Sequence, residues 1–256
     1  MPFRPLLTAP RPQIGTMVAE FATPGIGHIL KAAKLDFGFL DMEHSGFGMG
    51  DLKAMLSYFQ AANMPVILRP PSKSSHHLSR ALDAGAEALL LPMVGSAAEA
   101  ADLVAAIKYP PDGVRGVALG FAHDRYTTGD AKAKLTAANR DTVLIPLIET
   151  VAGLQAVEDI ALTKGVDGLW IGHFDLSASM GIAGAFDDPR FIAAVSRIVA
   201  AAQAANIPVC QLVSSVDDGC QMISQGFHLV CYGIDSGLLR DSLAKGVAEI
   251  RARAVD

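Results

Sequence analysis

Short, almost continuous apolar runs alternate along the chain with longer segments whose apolar positions recur every three to four residues. The first pattern is typical of strands that are buried on both faces, and the second is typical of amphipathic helices. The predicted strands are residues 15–20, 37–41, 66–69, 88–92, 143–149, 168–172, 208–213 and 229–233. Because strand and helix patterns alternate throughout, the sequence favours parallel βα units.

Local signals support the helices between these strands. Asp51 suits the start of a helix over 50–62, Gly85 suits the end of a helix over 75–84, and Ser96 and Glu99 have capping-box spacing before 96–107. Pro189 stands at a first-turn position of a helix over 189–205.

Eight such units in 256 residues predict an α/β fold, a single (β/α)8 TIM barrel whose one domain covers residues 1–256. An open doubly wound sheet usually has a glycine-rich nucleotide loop after its first strand. The turn at 21–27 lacks the GxGxxG spacing of that loop. The stretch 109–140 interrupts the alternation and is rich in Gly, Pro, Asp and Thr, so we expect a lid or a subunit contact there.

Composition narrows the class of protein. An apolar content of 51% with 24 glycines suits a large core, and a net charge of −5 without a basic block argues against a nucleic-acid surface. The sequence has no apolar run long enough for a membrane-spanning helix, and residues 1–5 lack the apolar region of a signal peptide. We expect a cytoplasmic protein in which Cys210, Cys220 and Cys231 are reduced core thiols.

Polar side chains follow the ends of several predicted strands. Asp41, Glu43 and His44 follow the second strand, Arg69 ends the third, Glu149 ends the fifth, and Asp175 follows the sixth. The carboxyl ends of barrel strands lie on one ring, so these groups are expected to share one pocket.

Each of these groups has a functional and a structural interpretation. Glu149 and Asp175 suit a divalent cation such as Mg²⁺ or Mn²⁺, or else form a solvated pair of carboxylates. Arg69 suits a substrate carboxylate, or else a structural salt bridge. His44, with acidic neighbours to orient its ring, is the candidate base, although a lone histidine is more often structural. The direction of His173 is not set by the sequence.

Lysine is absent from the predicted strands, and Lys73, after the third strand, is the one lysine placed to reach the rim. Imine chemistry needs a desolvated lysine inside the mouth. The sequence therefore disfavours a Schiff base and favours metal-assisted enolisation.

Motifs along most of the chain, about residues 14–245, resemble the HpcH/HpaI family of class II, metal-dependent pyruvate aldolases. They are Asp41-Met42-Glu43-His44, Arg69-Pro70, Leu82-Asp83-Ala84-Gly85-Ala86, Leu91-Pro92-Met93-Val94, Tyr109-Pro110-Pro111-Asp112-Gly113-Val114-Arg115-Gly116, Ile148-Glu149-Thr150, Gly165-Val166-Asp167-Gly168-Leu169-Trp170-Ile171-Gly172 and Asp175-Leu176-Ser177-Ala178-Ser179-Met180-Gly181.

The resemblance implies a barrel of the phosphoenolpyruvate/pyruvate type and roles for individual residues. Glu149 and Asp175 hold the metal, which is Mg²⁺ or Mn²⁺ with Co²⁺ and Zn²⁺ as alternatives. His44 is the base, oriented by Asp41 and by Asp83 of a neighbouring subunit. The residues expected to contact substrate are Arg69, Phe174, Asp175 and Leu212. A homohexamer, a trimer of dimers, is also implied, with C-terminal helices over about 236–252 exchanged between subunits.

The chain departs from the family pattern at three places. Leu147 replaces a common glutamine, His173-Phe174 replaces a proline and a small residue, and the turn 45–50 is unusually rich in glycine. These departures leave the acceptor aldehyde, the stereochemistry and the preferred metal open.

The expected reaction is the reversible cleavage of a 4-hydroxy-2-keto acid to pyruvate and an aldehyde through a metal-stabilised enolate, an aldehyde-lyase reaction of the EC 4.1.2 type. One alternative is an acyl-CoA lyase of the citrate or malyl-CoA lyase type, and another is a barrel that binds a keto acid without turnover. A third alternative, a phosphorylated substrate, depends on backbone donors around 233–237. The expected partners are small 2-keto acids, aldehydes and further copies of the chain, without nucleic acid or membrane.

Overall fold

The computed structural model describes residues 2–254, and within them eight parallel strands close into a barrel in chain order. The strands are β1 Gln13–Val18, β2 Phe37–Asp41, β3 Val66–Arg69, β4 Ala88–Leu91, β5 Val143–Ile148, β6 Leu169–Ile171, β7 Val209–Val213 and β8 Leu229–Ile234. The helices are α1 Ile26–Ala32, α2 Met49–Ala61, α3 Ser75–Asp83, α4 Ala97–Ile107, α5 Ala131–Asp141, α6 Val151–Gln155, α7 Val157–Leu162, α8 His173–Ser179, α9 Pro189–Ala204, α10 Val216–Ser224 and α11 Asp235–Arg253. The predicted fold class is confirmed.

The stretch 109–140 holds more regular structure than its composition predicts. It contains a 3₁₀ turn over Ala122–Asp124 and most of α5. The Asp130 side chain caps α5 by accepting the Ala133 N–H at 2.7 Å. No side chain of α5 is buried within the described chain, so the apolar period that marks the other helices is missing from its sequence.

Alternate strand positions build two separate cores. One set of side chains fills the barrel, with Met17, Phe39, Ile67, Leu90, Ile145, Leu147, Trp170, Cys210 and Cys231 among its members. The other set packs between the barrel and the helices. Side chains along a strand alternate between its two faces with a period of two. The inward positions of β2 are therefore 37, 39 and 41, and those of β5 continue from 145 and 147 to 149, so the two series end on Asp41 and Glu149. The barrel packing itself therefore directs these two carboxylates toward the mouth.

The opposite end of the barrel is closed by the segment that precedes β1. Phe3 is fully buried, and its ring meets the ring of Phe37 edge-on, with 5.8 Å between centroids. A Cβ at Gly15 would lie 2.4 Å from the Phe37 ring, so glycine is needed at this position. The access of a ligand is thus restricted to the carboxyl end of the strands.

The cysteines divide between the core and the surface. Cys210 and Cys231 are buried in the barrel, as predicted, whereas Cys220 on α10 is exposed, so the core prediction is wrong for that residue. Within residues 2–254, no helix combines the length and the apolar character that crossing a membrane requires.

Candidate active site

A cavity of about 560 Å³ occupies the mouth of the barrel at the carboxyl ends of the strands. Its lining includes six of the predicted site residues, which are His44, Arg69, Glu149, Phe174, Asp175 and Leu212. Two predicted residues lie elsewhere. Asp41 is fully buried, and it reaches the cavity through its contact with Arg69, whereas Asp83 is at the end of α3.

Asp41 and Arg69 form a buried, two-point ion pair. The Arg69 Nε and Nη2 atoms donate to the two Asp41 carboxylate oxygens at 2.6 and 2.9 Å. The register of β2 and β3 makes these two residues neighbours across the sheet. In the described residues no hydrogen bond uses Arg69 Nη1, which leaves one edge of the guanidinium for a ligand.

The contact expected between Asp41 and the His44 ring is replaced by backbone contacts. The Asp41 carboxylate accepts the main-chain N–H groups of Glu43 and His44 at 3.1 and 3.2 Å. No hydrogen bond between Asp41 and the imidazole is present in the described part of the chain, because Arg69 occupies the outer face of the carboxylate. Asp41 thus fixes the turn that carries His44 and leaves the exposed ring free to meet a substrate.

Glu149 is a buried carboxylate without a cationic partner in residues 2–254. Its side chain accepts the Met93 N–H at 2.6 Å, and only 3% of the residue is exposed. Burial raises the pKa of Glu149 to about 7; the charges of Asp175 and Glu43 add to this rise, whereas the Met93 hydrogen bond and the charge of Arg69 oppose it. Such a group gains greatly from a bound cation.

The space beside Glu149 is kept open by the backbone. A Cβ at Gly172 would lie 2.6 Å from Glu149 Oε2, so only glycine leaves room for the carboxylate. Met93 adopts the left-handed conformation, with φ of 54°, and so presents its N–H to Glu149. This donor could not be predicted, because left-handed geometry at a methionine has no residue signature.

Asp175 lies in the first turn of α8 and lines the same cavity. Two hard carboxylate oxygen donors suit Mg²⁺ or Mn²⁺. Within the described residues no three His, Cys, Asp or Glu side chains are grouped to hold a metal ion. Among these residue types in the described chain, Glu149 and Asp175 would hold the ion, and water and substrate would fill its other positions.

His173 and Phe174 form an aromatic part of the cavity wall. The His173 ring lies 4.5 Å from the Phe174 ring and 5.2 Å from the Phe186 ring, measured between centroids. Burial lowers the pKa of His173, although Asp175 and Asp218 partly oppose this shift. Burial therefore favours the neutral form of this packed ring.

The other candidate residues have partners outside the cavity. Asp83 accepts a hydrogen bond from Arg115 Nη2 at 2.5 Å and lies 4.0 Å from His123 Nδ1. Its role toward a neighbouring subunit stays a prediction. Lys73 pairs with Glu99 and donates to the Met93 carbonyl at 2.7 Å. Among the described residues that line the cavity there is no lysine.

Asp235 is a site residue that the sequence analysis missed. Its carboxylate accepts the backbone N–H groups of Ala19, Glu20, Phe21 and Ser236 at 2.8 to 3.3 Å. Ala19, Glu20 and Ser236 line the cavity, so Asp235 fixes part of its rim. Of these four donors, only the Ser236 N–H belongs to the segment 233–237, so the alternative of a phosphorylated substrate stays a prediction.

Comparisons with known proteins show the family of the chain. A family model described as HpcH/HpaI aldolase/citrate lyase matches residues 17–242. A hydroxypyruvate/pyruvate aldolase of Deinococcus radiodurans is 36% identical over 93% of this chain and 85% of its own. A 5-keto-4-deoxy-D-glucarate aldolase of Klebsiella pneumoniae is 31% identical over 95% of this chain and 94% of its own. A crystal structure of an HpcH/HpaI aldolase/citrate lyase family protein from Burkholderia cenocepacia superposes with a TM-score of 0.90, at 29% identity, over 96% of this chain and 97% of the other.

Proposed function

Because the chain belongs to the HpcH/HpaI aldolase/citrate lyase family, we propose that it is a divalent-metal-dependent aldolase. Its reaction is the reversible cleavage of a 4-hydroxy-2-keto acid to pyruvate and an aldehyde. The observation that carries the proposal is the buried Glu149 carboxylate, which has no cationic partner in residues 2–254 and shares one cavity with Asp175, Arg69 and His44. Relatives that are named as aldolases support this reaction class.

Glu149 and Asp175 are the residues that hold the ion, Mg²⁺ or Mn²⁺. A bound divalent cation supplies Lewis-acid stabilisation of the negative charge that develops on the keto oxygen of pyruvate. The Met93 N–H fixes one oxygen of Glu149 at 2.6 Å, and so sets the direction of the remaining lone pairs.

Arg69 binds the carboxylate of the keto acid with the guanidinium edge that Asp41 leaves free. Because Asp41 holds the other two nitrogens, the guanidinium needs no reorganisation when substrate enters. His44 accepts the proton of the 4-hydroxyl group during cleavage and returns it during condensation. Its exposed ring on the turn after β2 is placed to reach a substrate in the cavity.

The alternatives have weaker support from the cavity. An acyl-CoA lyase needs several cations for the nucleotide phosphates, but Arg69 is the one Lys or Arg side chain among the described lining residues. A barrel that binds a keto acid without turnover has no need of a histidine base beside an arginine anchor. The relatives from Deinococcus radiodurans and Klebsiella pneumoniae, at 36% and 31% identity, are named as aldolases.

The proposal is tested by proton exchange at the methyl group of pyruvate. In D₂O with Mg²⁺, we expect NMR to record loss of the methyl signal, because enolisation removes a C3 proton and deuterium replaces it. EDTA should stop the exchange. Exchange that continues in EDTA but ceases with borohydride would point to a lysine imine and would overturn the metal-dependent mechanism.

We further propose that the chain assembles through α11. This helix of 19 residues has one buried residue, Asp235, at its start. Its exposed side chains include Leu239, Leu243, Val247 and Ile250, which are spaced three or four residues apart and form one apolar stripe. An amphipathic helix that leaves its apolar stripe in solvent is a typical element for exchange with another copy, as in the predicted hexamer.

The double variant Leu243→Glu/Val247→Glu is expected to lower the oligomeric state, because two buried carboxylates would disrupt an apolar contact. Light scattering after size-exclusion chromatography measures the mass. Lys245→Glu, on another side of the same helix, is the matched control and should leave the mass unchanged. If the double variant keeps the mass of the parent, α11 is not part of the interface.

A further inference from the structure

We propose that the mouth of the barrel selects neutral aldehydes with an apolar or aromatic substituent, and that Phe174 is the main determinant of this selection. The inference rests on the proposed aldolase function. It concerns the part of the cavity that the pyruvate half of the substrate does not use.

Arg69 and Glu149 reach the cavity from the ends of β3 and β5, whereas apolar residues reach it from the ends of β6, β7, β8 and β1. Phe174, Leu212, Ile234 and Ala19 line the cavity without a charged group of their own. We call this set the apolar wall. Once pyruvate is held by Arg69 and by the ion of Glu149 and Asp175, the apolar wall is left for the aldehyde substituent, together with Glu20 and Ser236 of the same lining.

Phe174 is an exposed phenyl ring on a rigid support. Its exposed fraction is 60%, which is high for a phenylalanine inside a cavity. The rings of His173 and Phe186 pack against it with centroid separations of 4.5 and 5.2 Å. Phe186 in turn packs against Phe191 at 5.4 Å. A ligand ring that covers Phe174 therefore removes apolar surface from water without reordering the wall.

The charges of the cavity disfavour an aldehyde that carries a carboxylate. Among the described lining residues, Arg69 is the one permanent cation, and Asp41 already engages two of its nitrogens. Glu20, Glu149 and Asp175 are also in the lining. A second substrate carboxylate would therefore lose solvation, lack a cationic partner and face like charges.

The condensation of pyruvate with an aldehyde needs no further reactant. A C3 proton leaves pyruvate, and the electron pair of that C–H bond forms the new bond to the aldehyde carbon. The aldehyde oxygen takes one proton and becomes the 4-hydroxyl group. The aldehyde substituent remains on C4, which is the position that faces the apolar wall in this arrangement.

Two matched aldehydes test the charge selection. Butanal and succinic semialdehyde have the same chain length and differ by a terminal carboxylate. With pyruvate and Mg²⁺, we expect kcat/KM for butanal to exceed that for succinic semialdehyde by about 10-fold or more, and benzaldehyde to be used at least as well as butanal.

Variants of Phe174 test the wall itself. Phe174→Ala is expected to lower kcat/KM for benzaldehyde by about 10-fold, since one apolar contact in a pocket is worth about that factor. Phe174→Lys should move the preference toward succinic semialdehyde, because it supplies the missing cation. Leu162→Ala is the control, since Leu162 is an exposed apolar side chain on α7 that does not line the cavity.

The outcomes separate this inference from the proposed function. If the parent enzyme exchanges pyruvate protons but prefers succinic semialdehyde, or if Phe174→Ala retains the benzaldehyde rate, the selection is overturned and the aldolase function stands. If the parent neither exchanges pyruvate protons nor condenses any of the three aldehydes, both proposals are overturned.

Discussion

Replacing Glu149 with glutamine is expected to abolish tight metal binding and to lower the rate of aldol cleavage by roughly 10³-fold. A Lewis-acid cation contributes several kcal/mol of transition-state stabilisation, and each 1.36 kcal/mol corresponds to about a tenfold change in rate. Glutamine keeps the shape of the side chain and an oxygen for the Met93 N–H, which now lies 2.6 Å from the carboxylate. It removes the charge that a divalent ion needs from this position.

The same substitution should leave the protein folded. Glu149 is almost completely buried and has no cationic partner in residues 2–254, so a neutral isostere removes an unfavourable buried charge. We expect the melting temperature of Glu149→Gln in EDTA to equal or exceed that of the parent. We then measure Mn²⁺ binding by electron paramagnetic resonance, together with the cleavage rate, on a folded variant.

Glu158→Gln provides the control for this experiment. Glu158 is half-exposed on α7 and pairs with Arg197 at 2.7 Å, outside the cavity. Its glutamine variant should bind Mn²⁺ and cleave substrate as the parent does. Parent-like affinity of Glu149→Gln for Mn²⁺ would remove Glu149 from the ligand set.

The sequence sufficed to predict which strand ends meet at the mouth. The apolar runs predict the strands, and the alternation of side chains along any strand then places 37, 39 and 41 on one face and carries 145 and 147 on to Glu149. Strand count and strand order then follow from the alternation of strand and helix patterns, because parallel βα units close in chain order. The local sequence pattern therefore predicts which side chains reach the mouth of the barrel.

Partners within the site could not be predicted in the same way. Asp41 pairs with Arg69 because the register of β2 and β3 makes them neighbours, and a register depends on the packing of the whole barrel. The Met93 N–H reaches Glu149 through a left-handed turn that no residue type announces. Asp235 acts through backbone amides 214 to 216 residues away in sequence. The polar helix α5 escaped prediction because it buries no side chain that the structure describes.

His44→Ala is expected to slow aldol cleavage by about 10² to 10⁴-fold, which is the usual contribution of a positioned base. The His44 ring is exposed and is not part of the proposed ligand set, so Mn²⁺ affinity and melting temperature should stay close to those of the parent. His76→Ala is the control, since His76 is an exposed histidine on α3 that does not line the cavity.

The comparison with His173→Ala decides between the two imidazoles of the cavity. The His173 ring packs against the Phe174 and Phe186 rings, and burial lowers its pKa, so its neutral form is favoured but the ring is poorly placed to turn toward a substrate hydroxyl. We therefore expect its loss to slow cleavage much less than the loss of His44. If His44→Ala cleaves within a few-fold of the parent while His173→Ala is inactive, the base is His173. The turn after β2 then serves only to hold Asp41, and through it Arg69, in position.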